Sequence, residues 1–189
     1  MTVAYTDGAR RSGDKCACAF AVFEGEAIIH SATRFIETAT TNNQAEYHAL
    51  IDCLKWAEKN KLMNLIINCD SMLIINQVQG TWKVKHEELR PLRDLAYALL
   101  TRGEHVLSWV RGHSGNRGNE LVDELCNQTL NNEEKKLTSD LVFVWDCVKE
   151  YAERTGKCFW DDLSPTGQRK ELESYYEEHV YDRGGEGLL

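Results

Sequence analysis

Hydrophobic positions in the first 130 residues change their spacing several times, and each change predicts an element. Residues 2–7, 16–24 and 27–36 are rich in Val, Ile, Phe, Ala and Thr, with Gly25 at the second junction. That composition predicts three strands, the later two joined as a hairpin. Cys16 and Cys18 fall on one face of the second strand; no second ligand pair matches their spacing, so packing explains them better than a metal. Thr41-Asn42-Asn43-Gln44 has the form of a capping box, and Ala45, Ala49, Leu50, Cys53, Leu54 and Ala57 then recur at helical spacing, predicting a helix over 42–60. The short apolar run Leu65–Asp70 suits a buried strand, and 71–79 reads as a helix that Gly80 stops. An amphipathic helix over 86–102 with Pro91 near its start, a strand over 105–110 and a helix over 117–130 presenting Leu121, Val122 and Leu125 complete the series. Three antiparallel strands followed by parallel strands with crossover helices give an α/β fold, a mixed sheet with helices packed around it.

The pattern changes character near 131–138, which predicts a first domain over 1–132 and an extension over 133–189. In the extension, Ser139 can cap a helix over 139–155 ended by Gly156, and Ser164-Pro165 can open a second running toward Val180. Residues 184–187 are read as a frayed end. The extension holds eight of the 17 aromatic residues, enough either to pack on the first domain or to bind a protein partner. Hydrophobic residues make up 42% of the 189 and charged residues 28%, the composition of a globular chain. No stretch reaches the roughly 18 apolar residues that cross a bilayer, and the chain opens without a charged leader and apolar signal region. The expectation is a cytoplasmic protein without membrane contact. Seven cysteines, an odd number in no paired framework, fit reduced thiols. The sequon at Asn127 lies inside a helical pattern and is read as chance. A formal charge of −8 argues, on composition alone, against a general basic nucleic-acid surface.

Four acids stand at places where elements meet. Asp7-Gly8 ends the first strand, Glu46 lies in the first turn of the first long helix, Asp70 ends the buried strand, and Asp123 sits on the last helix. Each has a plain alternative: a turn, a complement to the helix dipole, a helix cap and a solvent-facing charge. The combination points elsewhere, because ligand sites in open α/β sheets form outside the carboxyl ends of neighbouring strands, where Asp7 and Asp70 fall. Four clustered carboxylates repel unless cations neutralise them, and hard oxygen ligands suit Mg²⁺ or Mn²⁺. A two-metal centre acting on a phosphodiester is the natural use.

These residues carry a family resemblance. Tyr5-Thr6-Asp7-Gly8, the run Thr40–Glu46, Asn68-Cys69-Asp70-Ser71, and Trp109–Asn116 with Asn119–Glu124 together resemble type 1 ribonuclease H over residues 2 to 130. The resemblance implies a ribonuclease H-like five-stranded sheet and hydrolysis of the RNA strand of an RNA–DNA hybrid, leaving 3′-hydroxyl and 5′-phosphate ends. It implies that Asp7 bridges two Mg²⁺ ions, that Asp123 completes the site of the ion that activates water, and that Glu46 and Asp70 hold the ion at the leaving group. His113, in a Gly-His-Ser-Gly turn, becomes a proton shuttle or an aid to product release, a role that suits imidazole chemistry. His30, His48, His86, His105 and His179 have no comparable setting and are read as structural. Ser114 follows His113, but no Gly-x-Ser-x-Gly elbow accompanies it, so a serine-hydrolase triad is not expected.

The family likeness further places Glu46 and nearby backbone, Gly8 included, at the 2′-hydroxyl that distinguishes RNA. Asn42, Asn43 and Gln44 reach the minor groove, and Thr41 a phosphate of the DNA strand; Thr41 and Asn42 can cap the helix as well. Trp82, with Lys83 and Lys85 just after it, is suited to touch the DNA strand. Three features depart from many relatives. Ala9–Lys15 replaces an Asn-Pro-Gly type turn, Met72 stands where a Gln is common, and residues 80–90 carry no long basic protrusion, as in the handle-lacking subgroup. Arg10, Arg11, Lys15, Lys83 and Lys85 could supply part of that positive charge. A strand-transfer or integrase domain of the same fold, and a non-catalytic hybrid-binding module, are the competing readings; the Asn-Asn-Gln-x-Glu helix start and the Gly-His-Ser-Gly turn favour the nuclease. The charge also divides unevenly. Residues 1–130 carry 14 basic and 16 acidic residues, net −2, and the rest 8 and 14, net −6. Two divalent ions would turn the first value to +2, so the acidity no longer excludes a nucleic-acid substrate.

Overall fold

Strands β1 (Thr2–Arg11), β2 (Lys15–Glu24) and β3 (Ala27–Ile36) pair antiparallel, and β4 (Ile66–Cys69) and β5 (Val106–Trp109) run parallel to β1. Their order across the single sheet is β3-β2-β1-β4-β5, the mixed architecture that the pattern predicts. A computed structural model of the chain describes residues 2–11, 15–39 and 41–155, with side chains to residue 136.

β2 explains how both faces are covered. Its even positions Cys16, Cys18, Phe20 and Val22 pack on one side, and its odd positions Ala17, Ala19, Ala21 and Phe23 on the other, as the two-residue period of a strand requires. The first side receives helix α1 (Asn42–Lys59), with Ala45, Ala49, Leu50, Cys53, Leu54 and Ala57 all buried. Thr41 opens α1 by a complete capping box: its hydroxyl accepts from the Gln44 N–H at 3.2 Å while its own N–H donates to Gln44 Oε1 at 3.0 Å. Such caps contribute about 1 kcal/mol. Helix α2 (Met72–Val78) and helix α3 (Arg90–Arg102), the latter entered through a 3₁₀ turn at Glu87–Leu89, add Ile74, Ile75, Val78, Ala96 and Leu99 to the same core. Against the second side, the alanines of β2 let Val122, Cys126 and Leu130 of helix α4 (Arg117–Thr155) approach closely. The five cysteines from Cys16 to Cys126 are buried free thiols, and no described helix is long and apolar enough to cross a membrane.

The chain divides into compact units at residues 1–133 and 134–189. One expectation needs correction. Instead of a helix ending at 130 and another opening at Ser139, the backbone is a single helix over Arg117–Thr155. The intervening Asn131–Thr138 contains no Gly or Pro and holds two Glu, two Lys and one Leu, so nothing there stops a helix. The helix expected from Ser164 lies outside the described residues.

Candidate active site

Parallel pairing of β1 and β4 ends at Thr6 opposite Cys69, so the next residue on each strand, Asp7 and Asp70, lies at the mouth of the crevice between their ends. β1 continues past Asp7 paired with β2, Asp7 opposite Ala19. Gly8 then decides the third member. A Cβ there would stand 2.2 Å from the Glu46 nitrogen and 2.3 Å from the Ala45 carbonyl carbon, so only glycine lets the backbone of α1 cross β1 this closely. That crossing brings Glu46 beside Asp7. One expectation is corrected: the helix begins at Asn42 and has no acid in its first turn, so Glu46 lies just beyond the turn where a dipole complement would sit. Ser71, and not Asp70, caps α2 through its hydroxyl, which leaves the Asp70 carboxylate to the crevice.

Asp123 arrives on α4. Asn116 caps that helix, its Oδ1 accepting from the N–H groups of Gly118 and Asn119 at 3.1 and 3.2 Å. Gly118 seats it, since a Cβ there would meet the Tyr5 ring at 2.2 Å. The turn before it holds His113 at φ +49° and Gly115 at φ +82°, and the Ser114 hydroxyl closes it by donating to the Arg111 carbonyl at 2.6 Å. His113 is 83% exposed, with Nδ1 3.9 Å from Asp123 Oδ2.

Each carboxylate is tethered by an amide donor. Asp7 Oδ1 accepts from the Gly8 N–H at 2.8 Å, Glu46 Oε1 from Asn42 Nδ2 at 2.9 Å, Asp70 Oδ2 from Asn119 Nδ2 at 3.2 Å, and Asp123 Oδ1 from Asn127 Nδ2 at 3.1 Å. Among the described residues, no three His, Cys, Asp or Glu side chains converge as a ready ion cage. The electrostatics nevertheless call for positive charge. Burial, then the Asp70 charge, push Asp7 up to about 8; the Gly8 N–H pulls the other way, and Asp123 and Glu46 add further repulsion. Burial also pushes Glu46 up to about 7, with the Ser71 hydroxyl pulling it down, Asp70 pushing it up and Asn42 pulling it down. Glu46 Oε2 is buried without a hydrogen-bond partner. An orphaned buried carboxylate oxygen, in a cluster of hard oxygen donors in which Asp7 and Glu46 are pushed up to about 8 and about 7, fits a divalent cation such as Mg²⁺.

The remaining predicted residues fall into two groups. Thr41, Asn42 and Gln44 are engaged at the start of α1, Asn42 with Glu46 and the other two in the capping box. Asn43 lines a groove of about 580 Å³ together with Trp82, Lys83 and Lys85, and Trp82 is 49% exposed. The groove also includes Gln77, whose Oε1 accepts from the buried Tyr47 hydroxyl at 2.9 Å, and His86. The sequence motifs give no part to Gln77, and His86 is expected to be structural. A signal for Gln77 was its position, a polar residue on the otherwise apolar face of α2. His30, His48 and His105 do serve the fold: His30 stacks on Trp56 at 4.6 Å, His48 Nδ1 lies 3.3 Å from Arg34, and His105 Nδ1 accepts from the Leu65 N–H at 3.1 Å.

Residues 1–131 match the family model described as RNase H. Ribonuclease H from Francisella philomiragia is 34% identical over 142 residues, spanning 68% of this chain and 90% of its own length. The crystal structure of RNase H1 from the halophilic archaeon Halobacterium salinarum aligns at a TM-score of 0.62 with 32% identity, over 69% of this chain and 98% of that one. LC11-RNase H1, solved in complex with an RNA/DNA hybrid, aligns at 0.59 with 28% identity, over 69% and 99%.

Proposed function

The chain belongs to the ribonuclease H family and carries its nuclease function, and from that premise we propose that it cleaves the RNA strand of RNA–DNA hybrids at the Asp7, Glu46, Asp70 and Asp123 crevice. The observation that carries the assignment is the acidic cluster itself, in which burial and mutual repulsion push Asp7 up to about 8 and Glu46 Oε2 is buried without a hydrogen-bond partner. The four carboxylates would hold two Mg²⁺ ions, with Mn²⁺ as a substitute. Bound there, such ions supply Lewis-acid polarisation of the phosphate and a lowered pKa for water.

The chain's own groups orient and select. Asn42 fixes the Glu46 carboxylate at 2.9 Å, which places Glu46 to read a 2′-hydroxyl beside the reacting phosphate. The groove of Asn43, Trp82, Lys83 and Lys85 takes the DNA strand, its ammonium groups meeting phosphates and its indole a sugar or base face. His113, exposed in a turn next to Asp123, carries a proton between solvent and the leaving oxygen. Its replacement by Ala is expected to slow turnover about a hundredfold or more, with residual activity and KM unchanged; complete loss of activity would show that His113 does more than move a proton. Lys83→Ala and Lys85→Ala are each expected to raise KM for hybrid severalfold and to lower the slope of log KM against log salt by about one. An unchanged slope in both would remove the groove from the DNA path.

The direct test is incubation with hybrid, duplex DNA, duplex RNA and single strands in Mg²⁺ or Mn²⁺. Cutting confined to the RNA of the hybrid is the expected result. Strand joining, or binding without cutting, would instead support the integrase-like or binding-module readings.

A further inference from the structure

Of the four carboxylates, Asp70 alone among the described residues takes its amide hydrogen bond from a distant element: Asn119, on the first turn of α4, is separated from it by 49 positions. Asn119 is 2% exposed. Its backbone is fixed by Asn116, whose Oδ1 accepts the Asn119 N–H at 3.2 Å, so the side chain enters the crevice from a rigid helix start. The orientation of its amide follows from charge: turned over, its oxygen would face the Asp70 carboxylate. In the orientation that donates, Asn119 Oδ1 is left buried without a partner. An unpaired buried acceptor is costly, which makes asparagine a poor choice for packing alone. The same Asp70 oxygen is walled by Gly112, where a Cβ would stand 2.7 Å from Oδ2.

We propose that Asn119 is a positioning residue, holding Asp70 by Oδ2 so that the carboxylate presents its other oxygen to a divalent cation. The proposal rests on the reading of Asp70 as a metal ligand. Partners of ligating carboxylates typically set metal affinity by about tenfold or more, and here α4, which also brings Asp123, would couple its own seating to the geometry of a ligand just past the end of β4.

Asn119→Leu tests this with little change of shape, since it removes the donor and the unpaired acceptor together. Mg²⁺ binding to the full chain, followed by calorimetry without substrate, is expected to weaken about tenfold. The Mg²⁺ concentration for half-maximal cleavage should rise by the same factor with KM for hybrid unchanged, and the metal-free melting temperature should not fall. Asn119→Ala should show the same weakening of Mg²⁺ binding even if lost packing lowers its melting temperature. In an Asp70→Asn background, Asn119→Leu should change Mg²⁺ binding no further. Undiminished Mg²⁺ affinity in Asn119→Leu, or a second tenfold loss in the Asp70→Asn background, overturns the proposal while leaving the metal site in place. Absence of Mg²⁺ binding to the unsubstituted chain would remove the metal reading and this inference with it.

Discussion

Asp7→Asn is expected to reduce hybrid cleavage by at least about a thousandfold in Mg²⁺ while raising the melting temperature of the metal-free protein at pH 8. The first effect follows from removing a charge from the centre of the cluster, where several kcal/mol of phosphate stabilisation depend on cations being held. The second follows from linkage. Asp7 and Glu46 are raised to about 8 and about 7 in the folded chain, from ordinary values of 3.8 and 4.5. Between about pH 4 and 8 the folded state therefore holds protons that the unfolded chain has released, so stability is full below that window and falls as pH rises through it. Asparagine keeps an oxygen for the Gly8 N–H and carries no charge, which removes the Asp7 share of this fall. Divalent ions should raise the melting temperature of the parent protein most at the alkaline end, because they displace the protons the cluster otherwise keeps. Melting curves at pH 5 and 8, with and without Mg²⁺, check the set. Equal stability of parent and variant at pH 8 without metal, or near-normal cleavage by Asp7→Asn, would falsify the account of the site.

Gly8→Ala should be nearly as damaging although it touches no charge. The new methyl would meet backbone at 2.2 and 2.3 Å, and backbone cannot swing aside as a flexible side chain does. α1 must lift from β1 or the two must separate locally, at a cost of about 1–3 kcal/mol in stability. The start of α1 carries Glu46 and its partner Asn42, so a displacement near 1 Å would misplace a metal ligand and the 2′-hydroxyl contact together. Cleavage should fall about a hundredfold or more, with the sheet intact by circular dichroism. Activity within threefold of the parent would mean that α1 and β1 are not held in register by this crossing.

Much of this was legible in the chain because the physics involved is local. The apolar run over 16–24 predicts β2, with Cys16 and Cys18 on one face, and the Thr41–Gln44 box predicts where α1 begins to within a residue. The motifs around Asp7, Glu46, Asp70 and Asp123 name the acids. Two details differ from the pattern: Glu46 lies just past the first turn of α1 and not in it, and α4 runs on where a break is expected, because a propensity change without Gly or Pro marks no boundary.

What the amino-acid order determined by itself, then, is the kind and sequence of elements and the identity of the acids. Tertiary structure decided how those acids are held. The end of β1 and β4 pairing at Thr6 and Cys69, the crossing permitted by Gly8 and the seating of α4 over Tyr5 join residues far apart in the chain. Only that assembly gives Asp70 its donor in Asn119 and leaves Glu46 Oε2 without one. Hydrogen bonding and desolvation depend on what surrounds an atom in space, and that is absent from any local pattern of residues.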